Sequence, residues 1–106
     1  MKPKYTFNRQ KRYITRGIQE TFSFELQLTL WNMIDDLIKE DIEVDYLQVF
    51  NIDVMDEHVT IKHTQEQPSY EKSQTFKTAD IKDGTSFKVF VIDDLTHTTM
   101  LLASEY

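Results

Sequence analysis

From Phe24 to Glu40 the chain has no glycine or proline, and its apolar residues recur at a helical period. Ser23 is placed to cap the start of that helix, and Glu25 falls in the first turn, where the helix dipole favours an acid. At 100° per residue, Phe24, Leu26, Leu28, Leu30, Trp31, Met33, Ile34, Leu37 and Ile38 fill an arc of roughly 220°. Glu25, Thr29, Asn32, Asp35, Asp36, Lys39 and Glu40 take the rest. A helix lying on one sheet needs an apolar stripe of only about 100° or somewhat more. The excess predicts a curved sheet and an N-terminal arm around the helix, or else a partner or self-association face.

Elsewhere the period is two. Tyr13, Thr15 and Gln19 alternate with Ile14, Arg16 and Ile18, which predicts a short first strand with Ile14 and Ile18 inward. Residues 46–52 read as a central strand, apolar on both faces, and residues 53–57 as a turn. Val59 and Ile61 alternate with polar neighbours in the next strand. Pro68 breaks it, and residues 70–77 read as an edge strand. Lys82-Asp83-Gly84 is a turn signal, residues 87–92 are the strongest strand, and residues 98–103 return as the last one. Short late connections favour antiparallel hairpins. The expected fold is α+β: one amphipathic helix on a mostly antiparallel sheet of about five or six strands, in the order strand, helix, strands. Residues 1–11 read as a basic arm and residues 12–106 as a single domain.

Charge divides the 106-residue chain sharply. Lys2, Lys4, Arg9, Lys11, Arg12 and Arg16 lie in the first 16 residues with no acid among them, a segment of +6. All 18 acids lie beyond it, giving a body of −12 and a net −6. Residues 35–57 are the densest part: Asp35, Asp36, Glu40, Asp41, Glu43, Asp45, Asp53, Asp56 and Glu57 against Lys39 alone. One-signed charge steers association without setting the fold.

Several chemistries are set aside. The chain has no cysteine, so disulfides, thiolate zinc and a cysteine nucleophile are excluded. Gly17 and Gly84 are too few for a phosphate-cradling loop. His58 and His63, five apart, point to opposite faces of a regular strand, and His97 is remote in sequence. No metal-ligand spacing and no nucleophile elbow occurs, so neither metal nor cofactor nor catalytic residue is expected. Asp93 and Asp94 read as turn-makers at a strand end. No apolar run resembles a signal peptide or a membrane span, so a cytoplasmic location without membrane contact is expected.

The segments RYITRGIQE (12–20), FELQLTLW (24–31), DYLQVF (45–50), QEQPSY (65–70) and VFVIDDLTHTTMLLASEY (89–106) resemble a small family of uncharacterised proteins from low-GC Gram-positive bacteria. The resemblance implies an accessory protein of phages and antibiotic-resistance cassettes. It assigns no catalytic residue. Arg16, Gln19, Gln48, Gln65, Gln67, Thr98 and Thr99 lie within or beside these stretches, and on a shared sheet face they would form a polar recognition surface.

Two functions compete. One is a non-enzymatic protein that docks on a basic partner, host or element-encoded, through Asp35, Asp36, Glu40, Asp41, Glu43 and Asp45. In its sharpest form it is a DNA mimic that inhibits a defence or DNA-processing enzyme. The other is a nucleic-acid accessory factor for element replication or recombination, using Lys2, Lys4, Arg9, Lys11, Arg12 and Arg16, with Tyr5, Phe7 and Tyr13 available to stack on bases. A homodimer would also cover the wide apolar arc.

Overall fold

The computed structural model describes residues 3–78 and 81–106, so Lys2 lies outside the described residues. The six strands are β1 (Arg12–Ile14), β2 (Leu47–Met55), β3 (His58–Gln65), β4 (Tyr70–Lys77), β5 (Ser86–Asp93) and β6 (Thr98–Leu102). They form one sheet in the order β1-β6-β5-β2-β3-β4. β1 runs parallel to β6, and every other neighbouring pair is antiparallel. A short helix α1 (Arg16–Thr21) leads into the main helix α2 (Phe24–Lys39). The architecture is α+β, one principal helix on a mostly antiparallel sheet, as the periodicity predicts. Among the described residues no helix is long and apolar enough to cross a membrane.

α2 begins where Ser23 Oγ accepts the Leu26 N–H at 3.2 Å, satisfying one orphan donor of the first turn. It ends at Glu40, whose backbone turns to extended geometry. Leu26, Gln27, Leu30, Met33, Ile34 and Leu37 are buried, an arc of about 120° at 100° per residue. Against it the sheet presents Phe50, Ile52 and Val54, Val59 and Ile61, Val89 and Val91, and Met100. Each fully buried aliphatic side chain here stabilises by about 1.5–3 kcal/mol.

The expected arc was wider than the buried one. Phe24, Leu28 and Ile38 are exposed, and Trp31 is half-buried beneath the Arg12 guanidinium, 4.9 Å from the ring centroid. The N-terminal segment therefore covers part of the excess. It lies on the body, with Phe7 fully buried in the core cluster. Asp93 Oδ2 accepts the N–H groups of Thr6 (3.1 Å) and Phe7 (3.0 Å), and the Phe7 carbonyl accepts from Arg12 Nε at 3.0 Å.

Two local expectations are corrected. The first strand stops at Ile14, because Thr15 caps α1, its Oγ1 accepting the Ile18 N–H. Ile18 is buried, but from a helix, and Ile14 is exposed. β2 runs on to Met55, so the turn is only Asp56-Glu57, both at positive φ (51° and 61°). That is the backbone of a two-residue hairpin, whose twist matches the strands it joins.

Candidate functional site

Tertiary structure splits the acidic run in two. β2 carries the chain nine residues, roughly 30 Å at about 3.3 Å each, so Asp56 and Glu57 lie at the far end of the sheet from Asp45. Asp53 is occupied with the Ser86 hydroxyl at 2.6 Å. Asp45 is half-buried, its Oδ2 accepting the Gln67 N–H.

Asp35 is neutralised from within. Its Oδ1 meets Arg12 Nη2 at 2.6 Å and its Oδ2 meets Arg9 Nη2 at 3.2 Å. The side chains of Arg12 and Asp35 are only 11% and 14% exposed. Toward the C-terminal end of α2 and just past it lie half-buried Asp36 and exposed Glu40, Asp41 and Glu43. Glu40, Asp41 and Glu43 border a groove of about 520 Å³ between the N-terminal segment and the end of the helix. Tyr5, Ile38, Ile42 and Val44 give it an apolar lining, and Lys4 of the N-terminal segment also lines it.

Three of the basic residues are paired within the chain. Arg9 and Arg12 bind Asp35, and Arg16 pairs with Glu20 one helical turn away at 2.9 Å. Lys4 and Lys11 are exposed without an ion pair among the described residues. Tyr13 lies edge-on to His97, centroids 5.6 Å apart, and Phe7 is in the core.

The loop bearing the carboxylates is positioned by a buried polar network. Gln48 Oε1 and His63 Nε2 are 2.7 Å apart, and Gln48 Nε2 donates to Gln65 Oε1 at 2.8 Å and to the Asp45 carbonyl. Gln65 then donates to the carbonyls of Glu43 and Pro68 and accepts the Asp45 N–H. One glutamine thus ties residues 43–45 to the turn before β4. Since Gln48 Oε1 can only accept, His63 Nε2 carries the proton. Phe50 stacks on the imidazole with centroids 4.4 Å apart. Burial, and then the nearby Lys72 ammonium, lower the His63 pKa to about 4, so the ring is neutral.

Tyr70 meets His63 edge-on. Its hydroxyl lies beside Glu40 but does not reach hydrogen-bond geometry. Burial and then the Glu40 and Asp36 carboxylates push it up to about 12.

The polar residues singled out in sequence do not share an open face. Gln48, Gln65 and Thr98 are buried on the helix side, Thr99 lies on the opposite side of the sheet, and Arg16, Gln19 and Gln67 are exposed elsewhere. Their phase carried a signal: Gln48 has the parity of Phe50 and Ile52, and Gln65 that of Val59 and Ile61.

The histidines remain apart: His58 at the hairpin with the Asp56 carbonyl, His63 inside, and His97 beside Asp94 at 3.4 Å. Asp93 and Asp94 build their turn, Asp94 Oδ1 accepting from Thr96 and His97. These hydrogen bonds, the Thr96 hydroxyl first, lower Asp94 to about 2.

A solved structure, that of a protein of unknown function from Enterococcus faecalis, superposes with a TM-score of 0.78 at 25% identity, covering 94% of each chain. Among curated proteins no relative matches. A family model described as staphylococcal protein of unknown function (DUF960) matches residues 11–105. By that match over nearly its whole length, the chain belongs to the DUF960 family.

Proposed function

We propose that this is a cytoplasmic, non-enzymatic binding protein that receives a basic segment of another protein in the groove at the C-terminal end of α2. The carrying observation is the placement of Glu40, Asp41 and Glu43 around an apolar-lined groove at the negative pole of a 16-residue helix. An acid at that pole destabilises the helix by about 0.3–1 kcal/mol. Neither Glu40 nor Asp41 is in an ion pair among the described residues. A cationic partner turns the same field into attraction, while Ile38, Ile42 and Tyr5 can take the aliphatic or aromatic neighbour of its lysine or arginine.

The mobile-element setting, with a host or element-encoded partner, is supported by the resemblance of the five quoted segments. Inhibition by DNA mimicry is supported by the capacity of carboxylates to engage the lysines and arginines that hold phosphates. Splitting of the acidic run confines that mimicry to the α2 end. Nucleic-acid binding by the N-terminal segment keeps Lys4 and Lys11 as its support, since Arg9, Arg12 and Arg16 are engaged within the chain.

Titrating the isotope-labelled protein with a peptide of alternating arginine and leucine tests the groove. Expected are amide shifts confined to residues 4–6 and 38–44, and about tenfold weaker binding for Glu40→Lys with Asp41→Lys. Shifts centred elsewhere, or equal affinity for the charge-reversed variant, would remove this proposal.

A further inference from the structure

The two edges of the sheet are unlike. β1 has three residues, whereas β4 has eight, without glycine, proline or bulge between Tyr70 and Lys77. β4 pairs with β3 along its full length, and among the described residues nothing bonds the backbone of its other side. A long unpaired edge is a template for another strand unless short length, a bulge or clashing charge blunts it.

We infer that a second copy of this chain pairs with β4, antiparallel and two-fold symmetric about Gln74, to give a continuous twelve-stranded sheet. The strand carries its own complement in that register. Directly paired residues share a face, so a two-fold axis at Gln74 sets Glu71 opposite Lys77, twice, on the side of the sheet away from α2. Ser73 meets Thr75 on the same side. On the helix side Lys72 meets Phe76, where its aliphatic stem and ammonium can lie over the ring. Glu71, Lys72 and Lys77 are all exposed and open to a partner. Neighbouring registers lose this match: centring on Ser73 leaves Glu71 against Thr75, and centring on Lys72 sets two lysines face to face. A foreign strand would have to reproduce the complement that the second copy already has.

One strand pairing is a small interface, so the dimer should be weak and concentration-dependent. Sedimentation velocity of the whole chain from about 10 to 500 μM should show monomer passing into dimer. Glu71→Lys and Lys77→Glu should each weaken association about tenfold, and the double swap should restore it. Glu71 also contacts Lys62 of its own chain at 3.3 Å, so Lys77→Glu supplies an independent single reversal. Circular dichroism would verify that each variant is folded. Gln74→Cys adds a geometric test in a chain with no native cysteine. The axis places that residue opposite itself, about 4.5–5.5 Å between Cα atoms, within disulfide reach. Cross-linking on mild oxidation supports the register. A monomer throughout the range, a dimer indifferent to either single reversal, failure of the double swap to rescue, or no cross-link would each overturn it.

Discussion

Arg12 Nη2 lies 2.6 Å from Asp35 Oδ1, joining the first residue of β1 to the C-terminal half of α2 across 23 positions of sequence. The same guanidinium donates to the Phe7 carbonyl and covers Trp31. One side chain therefore holds the N-terminal segment, the helix and an indole face together, and removes a carboxylate from the acidic surface.

Arg12→Ala should destabilise the protein by about 2–3 kcal/mol, because it leaves a poorly exposed Asp35 with only Arg9 and uncovers Trp31. Arg9→Ala breaks a contact whose arginine is 70% exposed and should cost less than about 1 kcal/mol. Urea denaturation of the two variants distinguishes these values. Equal costs would contradict the assignment of Arg12 as the central tie.

Asp93 anchors the other end of the segment. Its carboxylate accepts the N–H groups of Thr6, Phe7 and Leu95. Asp93→Ala should cost roughly 2–3 kcal/mol and raise hydrogen exchange at Thr6 and Phe7 selectively. Unchanged protection of those two amides would show that Phe7 packing alone retains the segment.

Stability should fall on mild acidification through His63. Its folded pKa is about 4, below the unfolded value of 6.5, so between these pH values the unfolded chain binds the proton and the folded chain does not. Stability is full above pH 6.5 and declines as pH drops toward 4, by about 3 kcal/mol if His63 acts alone. His63→Gln should lower stability at pH 7 yet flatten its slope between pH 7 and 5. An unaltered slope would assign the acid sensitivity to other groups.

Gly17 admits no side chain without displacing Glu105. A Cβ there would sit 2.6 Å from the Glu105 carboxylate, which accepts from Thr15 Oγ1, the Gly17 N–H and the Leu102 N–H. Gly17→Ala should therefore stabilise less than the better helix propensity of alanine alone would give, because it displaces that carboxylate from its three hydrogen bonds. Combined with Glu105→Ala it should stabilise more, since the displaced group is gone. Thermal melts of the four-member cycle measure the coupling, and strict additivity would exclude the contact.

The course of the backbone was legible from local pattern. Ser23 and the apolar period place α2, alternation places the interior of β3 and β5, and Lys82-Asp83-Gly84 marks a turn in which Gly84 takes φ +81°. The parity of Gln48, His63 and Gln65 with core neighbours already pointed inward. A polar residue in an apolar phase can equally end a strand, however, and only its partners decide which.

Residues 12–20 mislead for a related reason. Alternation there is too short to outweigh one capping threonine and a close approach by Glu105 from the far end of the chain.

Sequence alone determined where α2 and the interiors of the later strands run, because their periods are properties of neighbouring residues. It also determined the separation of a basic beginning from an acidic remainder. Tertiary structure alone decided which of those charges stay available. Asp35 is spent on Arg12, the hairpin acids are carried to the opposite end of β2, and Asp93 turns inward to receive residues 6 and 7. Charge has no period and leaves no local trace of its partner, so its placement follows from the packing that brings distant segments together.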